Sequence, residues 1–176
     1  MTGQINVNKI AARTGTAITI ASGDVLQAPG HVIQVVSAEE TAATTSTSSS
    51  AVNIVSVNIT PKFSSSKILI VCSFTATSST SNAIVGTAYK MYRSIGGGSD
   101  AVVTGMASST QAGLLEYNSN ASSYNHSVAA FTNQDSPSTT SEITYKLFFK
   151  RQNSSNTAAI QRDWGGVHIQ LLEIAQ

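Results

Sequence analysis

Along much of the chain, apolar side chains recur at every second position. Ile143, Tyr145, Leu147 and Phe149 alternate with Thr144 and Lys146, with one exception at Phe148. Val167, Ile169, Leu171 and Glu173 alternate with His168, Gln170, Leu172 and Ile174, so this last run is apolar on both faces. A period of two puts one set of side chains on each face of a β-strand. Similar runs mark strands at Val32 to Ser37, Val52 to Ile59, Lys67 to Thr75, Ile84 to Arg93 and His126 to Thr132. Weaker ones fall at Val102-Val103 and Ala112 to Tyr117. Turn signals separate them: Pro61, Gly96-Gly97-Gly98-Ser99-Asp100 and Asp135-Ser136-Pro137. No stretch shows capped apolar spacing of three and four, so helix is not expected. About eight short strands of this kind predict an all-β fold, an antiparallel β-sandwich of jelly-roll type. The apolar run from Lys67 to Thr75 predicts a central strand. The doubly apolar last strand suits burial by the sandwich on one face and by a neighbouring subunit on the other.

Residues 1–30 read differently. Ile5, Val7 and the offset Ile10 precede a turn at Arg13-Thr14-Gly15, and Thr16 to Ile20 alternates again through Ile18 and Ile20. Two or three short strands cannot build a core alone. The expected division is therefore an extended β arm over 1–30 and a sandwich domain over 31–176.

Charge and composition narrow the function. Of 176 residues only 11% are charged, and the net charge is +1, whereas an average domain carries about 25% charged residues. Such neutrality argues against nucleic-acid binding and a polybasic membrane anchor. Ser and Thr supply roughly a quarter of the chain, yet the Val- and Ile-rich runs bury enough area to oppose disorder. The opening Met1-Thr2-Gly3-Gln4 has neither a basic nor an apolar leader segment, and no apolar stretch is long enough to span a membrane. Synthesis in a cytoplasm without membrane insertion is the expectation.

Chemistry-bearing residues are sparse. Cys72 stands alone within an apolar strand and reads as a buried small hydrophobe. His31, His126 and His168 lack metal-ligand spacing and read as solvated or hydrogen-bonded, although in a trimer copies of His168 could meet on the axis. Neither a nucleophile elbow nor a phosphate loop occurs. Asp24, Asp100, Asp135 and Asp163 fall at turns, and Glu39-Glu40 reads as a solvated pair. The expectation is a non-enzyme with no cofactor and no metal. Tyr145, Phe148 and Phe149 are expected in the core. Tyr117, Tyr124 and Trp164 fall at loops or strand ends among Asn and Ser, a setting that suits sugar recognition.

Several blocks carry a family likeness. The arm from Ile5 to Gly23 and the step Pro29-Gly30-His31-Val32-Ile33-Gln34-Val35 resemble the opening of tail-fibre and virion appendage proteins of tailed bacteriophages, notably those of cyanophages and marine phages. Ile59 to Ile70, Tyr89-Lys90-Met91-Tyr92-Arg93, Asp135-Ser136-Pro137 with Ile143-Thr144-Tyr145, and Ile169 to Ala175 resemble the domain that follows, in the same order. The resemblance implies a homotrimeric virion fibre or appendage. Its arm would attach to other virion proteins through Ile5, Val7, Ile10, Ile18 and Ile20, and its distal domain would bind a host surface glycan or protein. The chain is short and has no long shaft, so a short tail fibre or appendage is expected. The alternative is a capsid or baseplate decoration protein without a receptor role. With strands running up and down, the distal loops 39–51, 77–83, 118–125 and 152–166 fall at one end. Asn120, Tyr124, Asn125, Asn153, Arg162 and Trp164 are the expected ligand contacts.

Overall fold

The computed structural model describes residues 22, 24–26, 28–79, 87–106, 125–151, 157–160 and 165–176. Among them there is no helix, and every strand pairing is antiparallel. The strands are β1 (Val32–Glu40), β2 (Thr44–Ser46), β3 (Val52–Ile59), β4 (Lys67–Ser79), β5 (Thr87–Ile95), β6 (Ala101–Val102), β7 (Asn125–Asp135), β8 (Ile143–Arg151), β9 (Thr157–Ile160) and β10 (Val167–Ile174).

They form two sheets. In the first, β4 pairs with β7 along one edge. Its other edge pairs with β10 over Lys67 to Ser73 and with β9 over Ala76 to Ser79. The outermost line is β1 beside β10 and β2 beside β9. This sheet is therefore four lines wide, in the order β1/β2, β10/β9, β4, β7. The second has the order β3, β8, β5, β6.

One core lies between the sheets. Ile68, Ile70, Cys72 and Phe74 of β4 and Val167, Ile169 and Leu171 of β10 are buried from one side. Val55, Val57 and Ile59 of β3, Met91 of β5 and Tyr145, Leu147 and Phe149 of β8 are buried from the other. Each such side chain contributes about 1.5–3 kcal/mol by leaving water. Tyr89 of β5 joins the layers, with its ring edge-on to Phe74 at 4.6 Å and stacked on Phe131 of β7 at 6.1 Å.

Irregularities in the sequence pattern have local causes. Val52 and Ile54 sit out of phase with Val55, Val57 and Ile59. The pairing runs Val52 to Phe149, Asn53 to Phe148, then Val55 to Leu147, so Ile54 is the extra residue of a bulge. The bulge moves the apolar set from one phase to the other without turning it outward. Ile33 is the corresponding extra residue in β1, between Val32 and Gln34. At 95–98 the two residues Gly96 and Gly97 have φ of 57° and 75°, and the Gly98 N–H donates to the Ile95 carbonyl at 3.0 Å. Two successive positive φ values close the tight turn that glycine allows at low cost.

Some expected boundaries shift. β1 runs on through Glu40, and the following Thr/Ser-rich stretch contains β2, because its backbone pairs with β9. β4 extends to Ser79, where the polar Thr-Ser end is paired on both edges. Thr157 to Ile160, expected at a loop's end and beyond, is a strand. Phe148, expected in the core, faces outward, since it shares the phase of Thr144, Lys146 and Lys150. Asp135, expected at a turn, is the last residue of β7 and is buried. The weak strand expected at Ala112 to Tyr117 and the arm over residues 1–21 lie outside the described residues.

Candidate functional site

Strand directions define two ends. The connections 60–66, 96–100 and 136–142 lie together at one end, where the chain also enters β1 and leaves β10. Here the Gly30 N–H donates to the Ala175 carbonyl and the Ala175 N–H to the His31 carbonyl, both at 2.9 Å.

Two buried carboxylates tie this end together. Glu173 is fully buried. Its Oε1 accepts from the Lys62 N–H at 2.7 Å, the Phe63 N–H at 3.3 Å and the Ser66 hydroxyl at 2.6 Å. Its Oε2 accepts from Gln34 Nε2 at 2.6 Å. Asp135 accepts from Arg93 Nη1, from the Tyr145 hydroxyl at 2.7 Å and from the Ser136 N–H at 2.9 Å. Burial, then the bond to Asp135, pushes the Tyr145 hydroxyl well above the ordinary tyrosine range. Both carboxylates are saturated with donors and closed to solvent, so each acts as a clamp: Glu173 on the β3–β4 connection, Asp135 between the two sheets.

The outer faces of the two sheets differ. On the first sheet, cross-strand rows pair Val35 with Leu172 and Leu172 with Leu69. Val35 is 51% exposed and Val71 36%, while Leu69 and Leu172 are half-buried. Further along this face Glu39, His168 and Ser73 stand in one row across β1, β10 and β4. His168 Nε2 lies 3.5 Å from Glu39 Oε1, with both side chains more than half exposed. A solvated pair of this kind adds little to stability. Among the described residues, no group of three or more His, Cys, Asp or Glu side chains could hold a metal ion.

The outer face of the second sheet carries rings and cations. β8 presents Lys146, Phe148 and Lys150 at alternate positions, and β5 presents Lys90 and Tyr92. The register sets Tyr92 beside Lys146, Lys90 beside Phe148 and the small Ala88 beside Lys150. The Tyr92 and Phe148 rings meet edge-on at 5.0 Å and 70°. Lys146 Nζ donates to Asp100 Oδ1 at 2.6 Å. A pocket of about 130 Å³ opens at Lys90, Tyr92, Phe148 and Lys150, walled by Ser49 and Ala51 of the β2–β3 connection. The Arg151 N–H donates to the Ser48 carbonyl at 3.3 Å and holds that wall against β8.

This face was legible in the sequence only as an anomaly. Phe148 breaks the alternation of β8 as an aromatic ring on the polar side, between two lysines. The expected ligand residues Asn120, Tyr124, Asn153, Arg162 and Trp164 lie outside the described residues, as do Ile5, Val7, Ile10, Ile18 and Ile20. Asn125 opens β7, its backbone in register with Ser78. Compared with known proteins, the chain matches no family model and no curated protein.

Proposed function

We propose that the chain is a structural protein of a bacteriophage virion, a short tail fibre or appendage that assembles as a homotrimer and binds the host surface without catalysis. The observation that carries this reading is the contrast between the outer faces, one apolar over part of its area and the other set with rings and lysines. An exposed apolar face is suited to burial against another subunit. Half-buried aromatic rings with flanking polar groups are suited to a saccharide. The ordered resemblance to tail-fibre proteins supports the virion setting. The strand order supports a jelly roll: β1 neighbours β10, β3 neighbours β8, β4 neighbours β7 and β5 neighbours β6. Such nested pairing, first with last and so inward, is what a folded-over ribbon of strands produces. In this reading the arm over 1–30 contacts other virion proteins.

The apolar face also favours a second reading, a capsid or baseplate decoration protein that buries this face on its neighbours and has no receptor. Adsorption competition separates the two. Host cells pre-incubated with micromolar protein should leave most added phage unbound. If folded protein leaves adsorption unchanged at every concentration, the receptor role falls and the decoration role stands.

A further inference from the structure

We infer that the pocket over Tyr92 and Phe148 binds one neutral pyranose residue of a polysaccharide, read through its C–H face; the inference deepens the host-binding reading above and rests on it. Three observations carry it. The first is the state of the charges. Phe148 has Lys146 and Lys150 two positions away on its own strand and Lys90 directly across on β5. Lys146 donates to Asp100, and Lys90 is engaged within the protein. Two of the three cations are thus committed, and the pocket keeps the half-buried Lys150. One ammonium in contact with solvent gives an anion little advantage, because water and salt screen it. It remains a good donor to a sugar hydroxyl.

The second is the rings. Phe148 and Tyr92 meet at 5.0 Å and 70°, half-buried on paired strands, so they form a corner rather than a flat plate. The negative face of an aromatic ring attracts the slightly positive hydrogens of C–H bonds, and this needs no charge on the sugar. Rings already held by packing lose little freedom on binding. The third is size and lining. At about 130 Å³ the pocket lies well below the roughly 300–1,000 Å³ of drug-sized sites. It suits one sugar residue of a chain whose remainder stays in solvent. Ser49, exposed on the β2–β3 connection, adds a hydroxyl at the wall. Ring surface edged by one hydroxyl and one ammonium matches a ligand that is apolar on its face and hydroxylated at its rim.

The test is saturation-transfer NMR of the full chain with the methyl glycosides of glucose, galactose and mannose. Methyl glucuronoside serves as the acidic counterpart of the first. Saturation should reach at least one neutral glycoside, strongest on the C–H protons of one face, and should not change between low and moderate salt. The glucuronoside should bind no more tightly than the glucoside. Phe148→Ala should weaken neutral binding about tenfold or more. Ser49→Leu, which fills the pocket from an exposed wall position and leaves the core untouched, should do the same. Circular dichroism and the melting temperature report whether the variants fold. Three results each overturn the inference: no saturation of any neutral glycoside, a preference for the glucuronoside that fades as salt rises, or neutral binding that survives the folded variants. Adsorption competition shows how far such a failure reaches. Protein that fails these tests and still blocks adsorption leaves host binding intact, and protein that does neither removes both readings.

Discussion

Glu173 shows how one residue can be both hidden from a pattern and central to a structure. It occupies an inward position of β10, where alternation calls for an apolar side chain, and it is fully buried. Four donors from β1 and the β3–β4 connection converge on it. Glu173→Ala would leave those donors unpaired, and a loss of about 3 kcal/mol or more is expected in urea unfolding. Cys72 is the opposite case. Its place in an apolar run already identified it as buried, and burial pushes its thiol up to about 12 from an ordinary 9.0. Tyr89 is pushed to about 12 from 10.0, mainly by burial and then by Cys72. Both groups bind their protons more tightly when folded, so their contribution is complete below pH 9. It falls as pH rises from about 9 toward 12, because the unfolded chain ionises first. Stability should therefore decline across that window, and Cys72 should react with a thiol reagent at pH 8 only once the protein is unfolded. Burial of single apolar residues was thus readable from the sequence. The partners of Glu173 were not, because Gln34, Lys62 and Ser66 lie more than a hundred positions from it.

At the scale of elements, period-two alternation located β8 and β10 to within a residue, since each has one face buried throughout. It failed at β2 and β9, which are three and four residues long and owe their form to pairing with each other. It also read past the lysine-flanked ring of β8, because one aromatic residue on a polar face resembles noise in the pattern. β9 and β10 lie on one line beside β4, but Ile160 pairs with Ala76 and His168 with Ser73. Gly165, shortly before β10, has φ 152°, and an added Cβ there would lie 2.6 Å from Thr75 Oγ1. Gly165→Ala should cost about 1–3 kcal/mol, since both backbone and neighbour are strained. Gly166→Ala meets the Glu40 carbonyl at an ordinary 3.6 Å and the ends of the His168 and Glu39 side chains at 3.1 and 3.3 Å, and those two side chains can move aside. It should change stability by less than about 0.5 kcal/mol. Thermal melts of the two variants side by side check the contrast.

For the whole molecule, the antiparallel all-β architecture followed from alternation, low charge and regular turn signals. The contrast in surface character between the outer faces did not, because it depends on which strands become neighbours. If the face around Val35 and Leu172 is the trimer contact, placing aspartate at both positions should convert a trimer to a monomer in sedimentation, with the fold kept. Substitution of Lys90 and Lys150 on the other sheet should leave the assembly unchanged. A wild-type chain that sediments as a monomer at tens of micromolar would remove the trimeric reading. The end at which the chain enters β1 has a mechanical consequence. An arm that anchors the domain and a ligand held at the opposite end would pull along the strand axes. β1 would then be drawn lengthwise past β10, to which it is paired from Val32 to Glu40. Ladder hydrogen bonds lie across that direction, so the load is shared by the whole ladder in shear. Peeling would break the same bonds one at a time, and at far lower force.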